Sequence, residues 1–471
     1  MSKKTKKELL SYEKKSTWEQ WNSSEKKKAF DFAEGYKEFL TKNKTEFECV
    51  DSIQAELEKN GYKSYEKINN KNVKFPLYVY FNNRGASIAA FRIDKDFVKT
   101  GLKLIFSHID APRIDLKQNS LREKFNIAFF KTNFYGGIKK YQWANIPLAI
   151  HGNIIDKNGK TIKVNIGEDE KDPIFMICDL LPHIRGPQNE RKTKDVFKGE
   201  ELELTAGSMA TEYKDEKIKE KVKYRVLELL NEKYGITEKE LFTADLRLVP
   251  AINARDMGFD RSMIAAYGHD DRICAYTSLK ALLNSEKTKS SFGVYFMDKE
   301  EIGSTCTTGS QSRFVENCFT RILELTGSKN LYFDKIDLME KSSAISADVG
   351  VAITPTFSDV FDIMGDPLMG FGVIISKFVG GGGKGGSSEA TAEFTSKFTR
   401  LFDKKKIPWQ FGGFGKIDLS GGGTIGKYIA ELNIDTIDIG PGVISMHSPY
   451  EVISKGDLYS TYLAYHSFLN D

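Results

Sequence analysis

The stretch "GVYFMDKEEIGST", residues 293–305, decides how this chain is read. An apolar run of strand character stops abruptly at four charged residues, Asp298, Lys299, Glu300 and Glu301. Adjacent like charges at the end of a buried strand disfavour one another. In an open α/β sheet, ligands collect outside the carboxyl ends of the strands. Partners for the glutamates are therefore sought at other strand ends.

Several apolar runs end in the same manner. "LKLIFSHID" closes on His108 and Asp110, "SAISADV" on Asp348, and "GVISMHS" on His447. "YGHDDRICAY" sets Asp270 and Asp271 just before a helix. Each piece alone has an ordinary explanation. An Asp after a strand forms turns or caps helices, and Asp271 stands where a cap would. Taken together, the two histidines with two aspartates and one glutamate from these ends form a mixed nitrogen and oxygen donor set suited to zinc or a similar divalent ion. With one bridging carboxylate the same set can serve two ions roughly 3.5–4 Å apart, each with an open position for water.

The rest of the chain fits an α/β protein with a β-rich interruption. The first sixty or so residues read as helical, with "SEKKKAFDFAEGYKEFLTKN" at helical spacing and Ser24 as its cap. From about residue 123 to 249 short alternating segments read as antiparallel hairpins, with Asn158-Gly159 as a turn. Within this block "HIRGPQNERKTKDVFKGEE" reads as a polar, mobile loop. Beyond residue 250 helices and strands alternate. The expected architecture is a central mixed sheet flanked by helices, built from residues 1–122 and 250–471, with 123–249 as a β-rich insertion. No internal repeat is evident.

Size and composition bound the function. The chain has 471 residues, 40% hydrophobic and 28% charged, which is ordinary for a globular protein with a large core. A net charge of +4 gives no general reason to bind nucleic acid. The lysines of "MSKKTKKELLSYEKK" are soon joined by glutamates and read as a solvated helical start. No apolar run reaches the roughly 18 residues of a membrane span, and no signal peptide is apparent. Five cysteines without CxxC spacing point to reduced thiols in a cytoplasmic protein. The Gly380–Gly383 run lacks the GK[ST] ending of a phosphate loop.

The motifs "SHIDAPRID", "GHDDRICAYTSLKAL", "DKEEIGS", "SADVG", "GGGTIGKYIAE" and "GPGVISMHSPYE" resemble, in order and across most of the chain, those of the M18 family of metallo-aminopeptidases. The resemblance implies a two-metal aminopeptidase fold. His108 and Asp348 would hold one ion, Glu301 and His447 the other, and Asp270 would bridge them. Zinc is expected, with cobalt or manganese able to use the same donors. Glu300 would be the general base, and Asp110 would orient His108. The resemblance also implies peptide substrates and a homododecamer built from dimers through the insertion. A histidine of the insertion would reach the neighbouring subunit's site, and His183 is preferred to His151, which falls in a hairpin strand.

Family members that select acidic N-terminal residues use basic side chains, and Lys377 or Lys384 falls near that position. The flexible glycine run Gly380–Gly383, in the segment Gly380–Gly386, bears on the same pocket and leaves neutral or apolar N-terminal residues open as well. A related amide hydrolase of aminoacylase or carboxypeptidase type would use nearly the same residues. A non-catalytic assembly protein would be expected to lack a ligand or the base, and none is missing.

Overall fold

The computed structural model describes residues 10–69, 73–285, 289–380, 383–419 and 421–471. The lysines before Leu10, and Gly381 and Gly382 of the glycine run, lie outside the described residues. Helix α1 spans Ser23–Lys42 and buries Ala29, Ala33, Tyr36 and Leu40, one apolar stripe at three- and four-residue spacing. Its cap is Asn22 rather than Ser24. The Asn22 side-chain oxygen Oδ1 accepts from the Ser24 and Glu25 amides, and the Glu25 carboxylate accepts from the Asn22 amide, so the turn closes two residues earlier. Helix α2, Glu46–Lys59, has the same reciprocal cap from Thr45 and Glu48.

Strand β1, Lys103–His108, follows. Strands β2 (Arg113–Lys124), β3 (Ile127–Tyr135) and β4 (Asp245–Pro250) belong to a second sheet. The chain then returns through helix α3 (His269–Leu283) to strands β5 (Phe292–Met297), β6 (Ser343–Ser346) and β7 (Asp435–Gly440), and to helix α4 (Lys455–Asn470).

Among the described residues the strands form sheets of nine, seven and five. In the largest, β5, β1, β6 and β7 are consecutive neighbours and all parallel. Their carboxyl ends therefore share one edge. Antiparallel strands flank them, so the sheet is mixed. One face packs on α1–α4 through Tyr36, Ile53, Leu279 and Tyr465, and the other on Phe319, Ile322 and Leu338. Each such fully buried apolar side chain stabilises the fold by about 1.5–3 kcal/mol.

The seven-stranded sheet starts at Arg113, ahead of the expected change of texture at 123, because β2 runs unbroken from beside the site into the hairpins. It has its own core around Trp143, Leu148 and Leu248. The expected turn is present between strands 148–155 and 161–166, with Gly159 at φ +82°. The polar stretch from His183 onward is a series of short helical turns with mostly exposed side chains. All five cysteines lie in the described residues and are unpaired. No helix of the described residues is long and apolar enough to cross a membrane.

Candidate metal centre

Met297 and His108 are register partners at the ends of β5 and β1. Past Met297 the strand stops. Lys299 takes a left-handed conformation (φ +69°), and Glu300–Ile302 form a single tight helical turn. The two glutamates thus diverge because they sit on a turn with about three residues per revolution, not because a strand alternates. Both their amides donate to Asp110, at 3.2 Å each.

The five expected donors meet at this edge. Nε2 of His108 is 3.2 Å from Asp270 Oδ1 and 3.8 Å from Asp348 Oδ1. Nε2 of His447 is 3.1 Å from Asp270 Oδ2 and 3.5 Å from Glu301 Oε2. Two donor triads therefore share Asp270: His108–Asp270–Asp348 and Asp270–Glu301–His447. Asp270 reaches both because it and Asp271 leave helical geometry at the start of α3 (ψ 108° and 28°). Glu300 Oε2 stands 3.9 Å from His108 Nε2, close to the donors without a hydrogen bond to them.

Asp110 also stands where it can orient His108. Its Oδ1 is 3.3 Å from His108 Nδ1, and its backbone oxygen is nearer still at 3.1 Å. Burial opposes the Asp110 charge, but hydrogen bonds from His108 and Tyr135 outweigh it and hold the carboxyl below its usual range. Burial also opposes charge on Asp270, and hydrogen bonds from His108 and His447 hold it below its usual range, whereas Asp348, Glu300 and Glu301 go the other way. Burial, then the carboxylates of Asp348, Asp110 and Asp270, pushes Glu300 up to about 8 against a partial offset from His108. Burial and Asp270 raise Glu301 well above its ordinary value. Burial disfavours charge on His447, yet Asp270 and Glu301 drive it up to about 10.

This set fits a divalent cation. Glu301 Oε1 is buried and has no hydrogen-bond partner. Such an atom costs about 1–3 kcal/mol, and more if charged, unless something pairs with it. The donors are imidazole and carboxylate, as zinc prefers.

Several contributors were not anticipated. Glu451, within the quoted "GPGVISMHSPYE", accepts from the amides of His447 (2.7 Å) and Asp270 (3.0 Å) and so fixes two donor backbones together. Asp271 does not serve simply as a cap: its carboxylate accepts the His108 amide at 3.2 Å. Tyr135 donates to Asp110, and the Gly137 carbonyl accepts from His447 Nδ1. A local motif carried Glu451; nothing local marked Tyr135 or Gly137.

Four of the five donors, Asp270, Glu301, Asp348 and His447, line a cavity of about 390 Å³, with His108 buried behind them. Ile374, Val379, Phe414 and Met446 line it, and Lys427 is the lysine among its described lining residues. Lys377 is absent from that wall; it lies 3.7 Å from Glu389, which Lys384 also pairs at 2.9 Å. His183 is exposed and does not line the cavity of its own subunit. His151 is buried between Glu48 (2.7 Å) and Glu168 (3.0 Å).

Imidazole and carboxylate donors gathered at the carboxyl edge of a parallel α/β core, beside an open cavity, define a metal-dependent hydrolase. A family model described as "Aminopeptidase I zinc metalloprotease (M18)" matches residues 39–469, and the chain belongs to this M18 aminopeptidase family. It is 43% identical over 449 residues to the probable M18 family aminopeptidase 1 of Thermotoga maritima, covering 95% of this chain and 98% of that one. Its counterpart in Clostridium acetobutylicum is 40% identical, with 98% of each chain covered. The crystal structure of the Thermotoga maritima M18 aminopeptidase superposes with a TM-score of 0.93, over 98% of this chain and all of that one. A solved yeast mApe1 dodecamer, 22% identical, shares the fold at a TM-score of 0.75, over 93% of this chain and 96% of that one.

Proposed function

We propose that this aminopeptidase works with two divalent ions, zinc by preference, that share Asp270. The observation that carries the proposal is the pair of histidine-centred triads meeting at that one carboxylate. His108 and Asp348 would complete one site, and Glu301 and His447 the other. Ions held there would supply a lowered water pKa and polarisation of the scissile carbonyl. Glu300, on the cavity side, takes a proton from the attacking water onto its carboxylate and returns it to the leaving amine nitrogen. Asp110 keeps the His108 ring oriented. Counting zinc in purified protein, alongside turnover of aminoacyl anilides and of N-acylated amino acids, tests this. Cleavage of the N-acylated compounds alone would favour an aminoacylase instead.

Any preference for acidic N-terminal residues is better assigned to Lys427 than to Lys377, because Lys427 lines the cavity. Lys427→Met should then lower turnover of Asp and Glu anilides relative to Leu. An unchanged ratio removes the assignment. Residues 123–249, with the start of β2, would form the dimer contact of a homododecamer, and exposed His183 would serve the neighbouring subunit. The shared fold with the mApe1 dodecamer supports that assembly. Sedimentation of the full chain and a His183→Ala assay check both.

A further inference from the structure

The last residue of β3 carries the seven-stranded sheet into the metal centre. Tyr135 is 7% exposed, and its ring lies 3.8 Å from the Arg113 guanidinium. Arg113 is held in turn by Asp115 at 2.8 Å. The pinned phenol donates to Asp110 Oδ2 at 2.7 Å, while Oδ1 of the same carboxylate faces His108 Nδ1. Two residues on, the Gly137 carbonyl is 2.9 Å from His447 Nδ1.

A carbonyl can only accept, so His447 keeps a proton on Nδ1 and Nε2 is the ring nitrogen left to bind an ion. The backbone oxygen of Asp110 sets the same tautomer in His108. In both rings Nε2 is the atom that faces Asp270. The segment also lies in van der Waals reach of two donors. A Cβ on Gly137 would stand 3.4 Å from His447 Nδ1, and one on Gly136 (φ +74°) would stand 3.4 Å from the Glu301 side chain.

We infer that Tyr135 is a positioning residue for the metal centre, and that the strand end 135–137 couples the insertion sheet to both histidine donors. The inference rests on the two-ion reading above. Groups that orient metal-binding side chains typically change affinity 10–100-fold when removed. Tyr135 acts one bond further out, through Asp110, so the low end applies on the His108 side. A role confined to filling space would be kept by phenylalanine, which preserves the ring and the Arg113 stack.

The test is zinc titration of chelator-stripped full-length protein against a chromophoric competitor, for wild type and Tyr135→Phe. Wild type should take up two ions. The variant should bind one of them about 10-fold more weakly, with the other unchanged and KM at saturating zinc unaltered. Two ions held with wild-type affinities in the variant overturn the inference and leave the two-ion reading standing. A wild type that takes up only one ion, or none, overturns the two-ion reading itself. Should Tyr135→Phe not fold, the wild type decides. Zinc should slow amide-hydrogen exchange across residues 127–139, and exchange unaffected by zinc overturns the inference.

Discussion

Replacing Glu300 by Gln removes one charge from the cavity wall and leaves the five donors in place. The Glu300 side chain is 18% exposed and makes no hydrogen bond to His108 at 3.9 Å, so the amide breaks no donor contact. Loss of a positioned base should lower kcat by about 10²–10⁴, or about 2.7–5.4 kcal/mol of transition-state stabilisation. Zinc content should not change. A second effect runs in the opposite direction. Glu300 titrates at about 8 in the fold against an ordinary 4.5, chiefly through burial. An acid with a raised folded value binds its proton more tightly when folded, so stability falls as pH climbs through the window from about 4.5 to about 8. Over the full window the penalty reaches at most about 5 kcal/mol, and less where water screens the side chain. Glutamine carries none of it. Chelator-stripped Glu300→Gln should therefore resist urea better than chelator-stripped wild type at pH 8, and about equally at pH 5. Near-normal turnover by the zinc-loaded variant would refute Glu300 as the base. Urea midpoints offset equally at both pH values would refute the electrostatic account.

Three further outcomes are expected. Asp270→Asn should release both ions on dialysis, whereas Asp348→Asn and Glu301→Gln should each release one; metal analysis showing two ions retained by Asp270→Asn would contradict the shared carboxylate. Glu46 is fully buried against Arg247 (2.7 Å) and Arg113 (3.5 Å), so Glu46→Ala strands buried cations and should destabilise the protein by about 3–5 kcal/mol in urea unfolding; a loss under about 1 kcal/mol would show the cations are otherwise satisfied. Burial works against charge on His151, but Glu168 and Glu48 raise it above 6.5; its stabilisation is then full below pH about 6.5 and lost as pH rises through the higher folded value, so the melting-temperature gap between wild type and His151→Gln should narrow at alkaline pH, and a constant gap would count against this.

Four of the five donors were readable because each ends an apolar run, while Asp270 precedes a helix, and the parallel rule then places the ends at His108, Glu301 and Asp348 together. His108, Asp348 and the Glu300–Glu301 pair follow β1, β6 and β5, neighbours that no local pattern names as such. What escaped the sequence depends on separation in the chain. Glu451 acts on Asp270 from 181 residues away and Asp271 on His108 from 163. Tyr135 stands at the end of what reads as an ordinary hairpin strand, and its pairing with Arg113, three residues past Asp110, brings its hydroxyl to that carboxylate. Lys377 and Lys427 look alike as isolated lysines. Glu389 engages one, while the short helix at Gly426–Ala430 carries the other on the cavity wall. The Ser24 cap failed for a simpler reason, since Asn22 offers a better-placed acceptor two residues earlier.

The order β5–β1–β6 has a consequence for how such a centre can change. Backbone hydrogen bonds hold neighbouring strands about 4.7–4.9 Å apart. Glu301, His108 and Asp348 follow three adjacent strands, so their spread across the edge is measured by the peptide backbone. Single side-chain replacements can retune affinity or delete a donor, but they cannot rescale that gauge. Evolution or engineering could therefore convert this edge to a one-ion centre by silencing an outer strand, while widening it would require a different pairing of the sheet.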